Sequence, residues 1–155
     1  MEPVNPTDCP YYLISRSTLL VTAELKREFA SAGVEQVKPA YLGVLLCLWR
    51  EDGIKMIELG QGAGLEPSTM TGLLDRMERD GLVHRENDPA DRRAIRIFLT
   101  DEGRYVRKPV LRVVEQTLDK VFMGISPEAL DQMKNTLTRI LDNSLQQRQH
   151  GEEID

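Results

Sequence analysis

The chain is short of the features that usually staple, anchor or coat a protein. Cysteine occurs twice, at Cys9 and Cys47, far apart and without a CxxC spacing, so neither a disulfide framework nor a zinc knuckle is indicated. Both read as free thiols. Histidine is equally scarce: His84 falls on an expected strand and His150 in a polar tail ending GEEID. Neither has partners at ligand spacing, so no metal is expected, and no motif calls for a cofactor. No stretch approaches the ~20 apolar residues needed to span a bilayer, and no early segment resembles a secretory signal. The expectation is a cytoplasmic protein with no membrane partner. A basic excess is missing too. The formal net charge is -5, and residues 54–100 hold seven Lys/Arg against eight Asp/Glu. That argues against a nonspecific nucleic-acid coat and leaves room only for a focused contact. No nucleophile–base pair, paired carboxylates or metal constellation stands out, so an enzyme is not expected.

What is present fits one domain, residues 1–155, of mixed hydrophobic and charged composition. Aromatic residues are only 5% of the chain, and long segments repeat with helical period, pointing to a mainly α fold. A first helix is expected from about Asp8 to Ala32, with Gly33 as its stop. Pro39 suits the first position of a second, running to about Glu51 before Asp52-Gly53, and its AYLGVLLCLW segment is apolar nearly all round. Gly60, Gly62 and Gly64 lack the spacing and the Gly-Lys-Ser/Thr of a phosphate loop. They read instead as a short helix from Met56 to Ala63, weakened by two interior glycines and ended at Gly64.

Pro67 then opens a helix ending at Gly81, with Met70, Leu73, Leu74 and Met77 as its inner stripe. Its opposite side carries Ser68, Gly72, Asp75 and Arg79, flanked by Thr69, Thr71 and Arg76. Short hydrogen-bonding groups lead and basic arms follow, an arrangement that fits a helix entering a DNA major groove by its N-terminus. After Gly81 the period falls to two: LVHRE, the polar turn NDPADRR, then AIRIFLT, a β-hairpin. Helix, turn, helix, hairpin is the order of a winged helix, whose hairpin tip reaches the neighbouring minor groove. Thr100 is placed as the N-cap of a long helix from Asp101 to about Met123, with Pro109 inside it as a kink or break. Ser126-Pro127 starts another, to about Gln147. There Leu130, Met133, Leu137, Ile140, Leu141 and Leu145 make an apolar stripe that either joins the first helix in a dimer interface or folds back as an intramolecular helix hairpin.

Two motifs together resemble the MarR family of bacterial transcription regulators over nearly the whole chain. DPADRRAIRIFLTDEGR, residues 88–104, is similar to the family's wing, and STMTGLLDRMERDGLV, residues 68–83, to its recognition helix and the exit into the wing. The resemblance implies a mainly α fold with a small β-hairpin wing (α+β). Residues 37–103 would form a winged helix-turn-helix DNA-binding lobe, and 1–36 and 104–150 long dimerisation helices. It implies a homodimer on a pseudo-palindromic double-stranded DNA operator, acting as a repressor released by a small molecule. Ser68, Thr69 and Thr71 would approach bases, and Arg76 a phosphate or base edge. Arg92 and Arg93 would enter the minor groove, while Asp91 would support the wing by pairing with a basic group. Gly60, Gly62 and Pro109 depart from the family's pattern.

Many such regulators respond to small phenolic or aromatic carboxylate ligands. Tyr11, Tyr12 and Arg16, with Tyr41 and Trp49, are the candidate slot, competing with ordinary packing roles. Two alternatives stand beside this reading. One is thiol-based redox sensing through Cys9, whose following residues, Pro10 included, do not match the hydroperoxide-sensing branch closely. The other is a winged helix used for protein contact alone, which has no need to combine Ser68/Thr69/Thr71 with Arg92/Arg93.

Overall fold

The computed structural model describes residues 5–151, with side chains through residue 147; the side chain of His150 lies outside that range. After a short 3-10 turn, α1 runs Pro10–Ser31 and is closed by Gly33 at φ 72°, the left-handed conformation that glycine adopts without steric cost. A 3-10 turn at Pro39–Tyr41 leads into α2, Leu42–Arg50. Val44, Leu45 and Leu48 of α2 lie in the core, but Leu46 is 51% exposed, so this helix is not buried all round.

The helix-turn-helix follows as α3, Met56–Ala63, and α4, Pro67–Arg79. Gly64, at φ 67°, closes α3, and the Leu65 N–H returns to the Gly60 carbonyl at 2.8 Å, the bonding of a Schellman cap. The interior glycines prove to serve packing. A Cβ on Gly60 would stand 3.1 Å from Met70 Cγ and 3.2 Å from the Leu65 carbonyl oxygen, and one on Gly62 would stand 3.4 Å from Cys47 Sγ. Their helix-propensity cost is accepted where α3 is drawn against α4 and α2.

The wing is β2, Val83–Asn87, and β3, Ile95–Leu99, paired antiparallel from Val83↔Leu99 to Asn87↔Ile95. A third strand, β1 (Ile54–Lys55), takes the other edge of β3, giving the order β1-β3-β2. Two residues are too few to show alternation, so β1 has no sequence signature. The fold is thus mainly helical with a small antiparallel sheet, a winged helix-turn-helix.

The long helix expected from Asp101 is two, α5 (Asp101–Tyr105) and α6 (Arg107–Val121), parted at Val106. Pro109 is the physical reason. It has no N–H to offer the Tyr105 carbonyl and its ring crowds that oxygen, so the helix restarts with the proline in its first turn. α7, Pro127–Gly151, begins where Ser126 Oγ accepts the Ala129 N–H. α1 packs on α6, and the core runs from Leu25 and Phe29 through α2 and the inner stripe of α4 to Ile97, Val106 and Val110. Along α1 and α7 an apolar row stays in solvent, from Ile14 at 40% and Leu137 at 42% exposed to Leu19 at 59%.

Candidate nucleic-acid interface

α4 is fixed on three sides. Met70, Leu73, Leu74 and Met77 are sealed in the core. At its C-terminal end the Tyr41 hydroxyl donates to Asp80 Oδ2 at 2.6 Å. Burial, then the hydrogen bond to Asp80 and its charge, push the Tyr41 phenol up to about 12, against the opposing charges of Arg76 and Arg79. From the wing, Arg85 of β2 donates to Asp75 Oδ1 at 2.7 Å and to Glu78 Oε2. Burial opposes the Arg85 charge, but the hydrogen bonds and charges of those carboxylates outweigh it and raise its pKa above the ordinary arginine value.

A helix held this way leaves one face to solvent. Ser68 and Thr69 are exposed, and their hydroxyls make no protein hydrogen bond among the described residues. The first turn of α4 has no side-chain cap, so its amide groups point outward at the positive end of the helix. Thr71 differs: its hydroxyl already donates to the Pro67 carbonyl at 3.1 Å, leaving a lone pair and a methyl to present. Arg76 and Arg79 are exposed further along.

The wing turn is rigidly organised. Asp88, only 3% exposed, accepts the Ala90 N–H at 2.8 Å and the Arg96 Nε–H at 2.7 Å. The Ala90 amide bond and the Arg96 guanidinium hold its carboxyl below the usual range, against the opposing effect of burial. Arg96 also donates to the Gly53 carbonyl at 2.7 Å, tying the turn to the approach to β1. The support expected of Asp91 is therefore made by Asp88: Asp91 Oδ1 instead accepts the Arg93 N–H at 3.0 Å, an Asx turn that shapes the tip. Arg92 and Arg93 project from that tip, exposed.

At the wing's base, Asp52 accepts from the Leu99 N–H and from Arg104, both at 2.9 Å. Beside it, Thr100 Oγ1 donates to the Gly81 carbonyl and accepts the Gly103 N–H. A Cβ on Gly103 would lie 2.1 Å from the Leu82 carbonyl oxygen, which is why only glycine fits three residues after Thr100.

From α4 through the wing to α5, the arginines thus divide into two groups. Arg85, Arg96 and Arg104 are held in ion pairs, whereas among the described residues no carboxylate lies within ion-pair distance of Arg76, Arg79, Arg92 or Arg93. The first group was missed in the sequence, where alternating charge along a strand looks the same whether solvated or paired. The second group lies on one helix and the adjoining hairpin tip.

The slot built from Tyr11, Tyr12, Arg16, Tyr41 and Trp49 is not assembled in the chain. Tyr41 is in the core and bonded to Asp80, and Trp49 Nε1 donates to the Gly103 carbonyl at 2.9 Å. Tyr11, 79% exposed, and Tyr12 and Arg16 stand in solvent on α1. A cleft of about 560 Å³ lies elsewhere, between α3, α4 and the end of α7, with Met56, Ile57, Leu65, Met70 and Leu145 on its walls. Gln61, Glu66 and Ser68 supply its polar groups, and no Lys or Arg lines it among the described residues. Cys9, half-buried, sits just ahead of α1, and its carbonyl accepts the Leu13 N–H. Cys47 is half-buried in α2 against α3. His84 stacks on Phe98 and meets Glu86 at 2.8 Å. No cluster of metal-ligand residues occurs among the described residues, and none of their helices is long and apolar enough to cross a membrane.

The MarR family model matches residues 39–95, the stretch holding α2, the helix-turn-helix and most of the wing. The chain is similar to the HTH-type transcriptional regulator TtmR of Methylorubrum extorquens, 47% identical over 70 residues, covering 45% of this chain and 35% of that protein. The match therefore spans about a third of that relative. A MarR family transcriptional regulator from Silicibacter pomeroyi is 32% identical in crystal structure, with 90% of this chain and 92% of that one covered at TM-score 0.66. The repressor CouR of Rhodococcus jostii RHA1, solved with p-coumaroyl-CoA and with a 23-mer DNA duplex, is 26% identical at TM-score 0.73. In the DNA complex, 86% of this chain and 93% of CouR are covered.

Proposed function

Since the chain belongs to the MarR family of transcription regulators, we propose that it binds double-stranded DNA sequence-specifically as a homodimeric repressor of a pseudo-palindromic operator. The observation that carries this is the division of the arginines. The fold neutralises those that brace it and, among the described residues, leaves Arg76, Arg79, Arg92 and Arg93 without ion pairs beside the unbonded hydroxyls of Ser68 and Thr69. Ser68 and Thr69 meet base edges, Thr71 offers its methyl and lone pair, and Arg76 takes a phosphate or a base edge. Arg92 and Arg93 enter the minor groove, where a narrow A·T-rich tract concentrates negative potential. Guanidinium suits that site because it keeps its charge and sheds water more readily than ammonium.

Dimerisation is supported by the apolar row on α1 and α7 that the chain leaves exposed; a second copy burying it presents each reading head twice, roughly one helical turn apart. The cleft whose wall includes Ser68 supports release by an effector, since an occupant there would disturb the tip of α4. Its apolar walls, with a few polar groups among the described residues, suit a small aromatic ligand. CouR, solved both with a ligand and with DNA, supports the pairing of the two activities on one fold.

Fluorescence anisotropy against the chain's own promoter region, with a random-sequence selection in parallel, tests the reading. Tight binding that prefers one sequence and weakens steeply with salt is expected. Absence of any sequence preference in both experiments would end it.

A further inference from the structure

The exposed face of α4 contains a contradiction. Asp75 stands seven residues after Ser68, on the same line of the helix, and Glu78 is nearly one turn further. Both are exposed carboxylates where phosphates would approach, and they offset the charges of Arg76 and Arg79.

Arg85, in the middle of β2 opposite Ile97, resolves it. One of its terminal nitrogens donates to Asp75 Oδ1 at 2.7 Å and reaches the Thr71 carbonyl at 3.4 Å; the other donates to Glu78 Oε2. Three acceptors spread over two turns of α4 are thus gathered by one planar fork. The Arg85 side chain is 23% exposed while Asp75 and Glu78 remain 61% and 41% exposed, so the guanidinium end of the pairing is partly withdrawn from solvent. An ammonium carries the same charge but lacks the flat, five-donor geometry that meets both carboxylates and the carbonyl together.

We propose that Arg85 is a positioning residue for DNA recognition, clamping the wing to the reading helix and drawing the charge of Asp75 and Glu78 away from the phosphates. This rests on the DNA-binding reading above. The clamp sets the distance between the two contact sets, because Arg92 and Arg93 follow Arg85 on the same hairpin while Ser68 and Thr69 lead the helix it grips.

The test uses Arg85→Met, Arg85→Lys and the triple variant D75N/E78Q/R85M in the full chain. In the DNA-free protein, backbone amides of residues 86–95 should exchange several-fold faster in Arg85→Met. Its operator affinity should fall about tenfold or more at 0.1 M salt, with Arg85→Lys between it and the parent. The triple variant should regain much of that affinity while its wing amides still exchange fast, since the repulsion has gone but the clamp has not returned. Unchanged exchange and affinity in Arg85→Met overturn the proposal. A triple variant no tighter than Arg85→Met overturns the charge-shielding half of it. Arg93→Ala, titrated alongside, separates the two levels: loss there with none in Arg85→Met removes Arg85 alone. A parent protein with no sequence preference removes the DNA-binding reading and this proposal with it.

Discussion

Gly103→Ala is the substitution on which ordinary helix rules and this structure give opposite signs. Gly103 lies inside α5, where replacing glycine by alanine normally stabilises by about 0.5–1 kcal/mol. Here the new Cβ would sit 2.1 Å from the Leu82 carbonyl oxygen and 3.1 Å from Leu99 Cδ2. The first neighbour is backbone and already accepts the Thr100 N–H at 3.0 Å, so it cannot swing aside like the tip of a side chain. Relief requires a separation of roughly 1 Å between α5 and the start of β2, an overpacking cost of about 1–3 kcal/mol. That movement also stretches the Thr100 bonds and the Trp49 bond to the Gly103 carbonyl, each worth about 1 kcal/mol net. With those bonds weakened by a fraction of their worth and the propensity gain subtracted, a loss of about 2–3 kcal/mol remains, which for a chain of this size lowers Tm by roughly 5–10 °C. Gly72→Ala is the matched control: it is also helical, but its nearest neighbour is the mobile end of Arg76 at 3.6 Å, so Tm should rise by about 2–4 °C. Calorimetry of the three proteins at equal concentration decides the matter. A Gly103→Ala protein as stable as the parent, or more so, would refute the close-approach argument.

The remaining expectations concern charge. Replacing both Arg92 and Arg93 by alanine should flatten the slope of log affinity against log salt by about 3–4, because four guanidiniums leave a dimer complex at about 0.9 each; an unchanged slope removes the wing tip from the interface. Arg93→Ala alone should weaken binding most at sites flanked by A·T tracts, measurable by comparing operators with exchanged flanks. Asp88 has a lowered pKa, so its stabilisation is present above the unfolded value near 3.8 and is lost as pH falls through the folded one. The Tm gap between parent and Asp88→Asn should accordingly be level near neutrality and close below about pH 4, and a gap independent of pH would contradict the pairing with Arg96. Tyr41, raised from 10.0 to about 12, has the opposite sign: its stabilisation holds below pH 10 and is lost as pH rises through 12. Chemical denaturation across that window should show a fall in the parent that Tyr41→Phe lacks.

Much of the architecture is local chemistry and was legible as such. Pro67 at the first position of α4, Gly33, Gly64 and Gly81 at positive φ after helices, Thr100 bonded to the Gly103 amide, and the apolar stripe of α4 each act within a few residues. The order helix, turn, helix, hairpin follows from them, as do the positions of Ser68, Thr69, Arg92 and Arg93. Pairings across the fold were not legible. Nothing in NDPADRR distinguishes Asp88, which closes on Arg96, from Asp91, which turns back on its own backbone, because the choice depends on which strand position faces the Gly53 loop. Tyr41 and Trp49 looked like pocket walls until the packing of α2 used their polar atoms on Asp80 and Gly103. Gly60 looked like a defect until Met70 was seen to occupy the space its side chain would need.

By itself, then, the sequence determined the helices, their ends, the hairpin and the family motifs, since each is set by spacing and by the conformational limits of single residues. Tertiary structure alone decided which charges are internal braces and which remain for a partner. An arginine's availability depends on the carboxylates that other segments bring within reach, as Arg85 and Arg93 on one hairpin demonstrate.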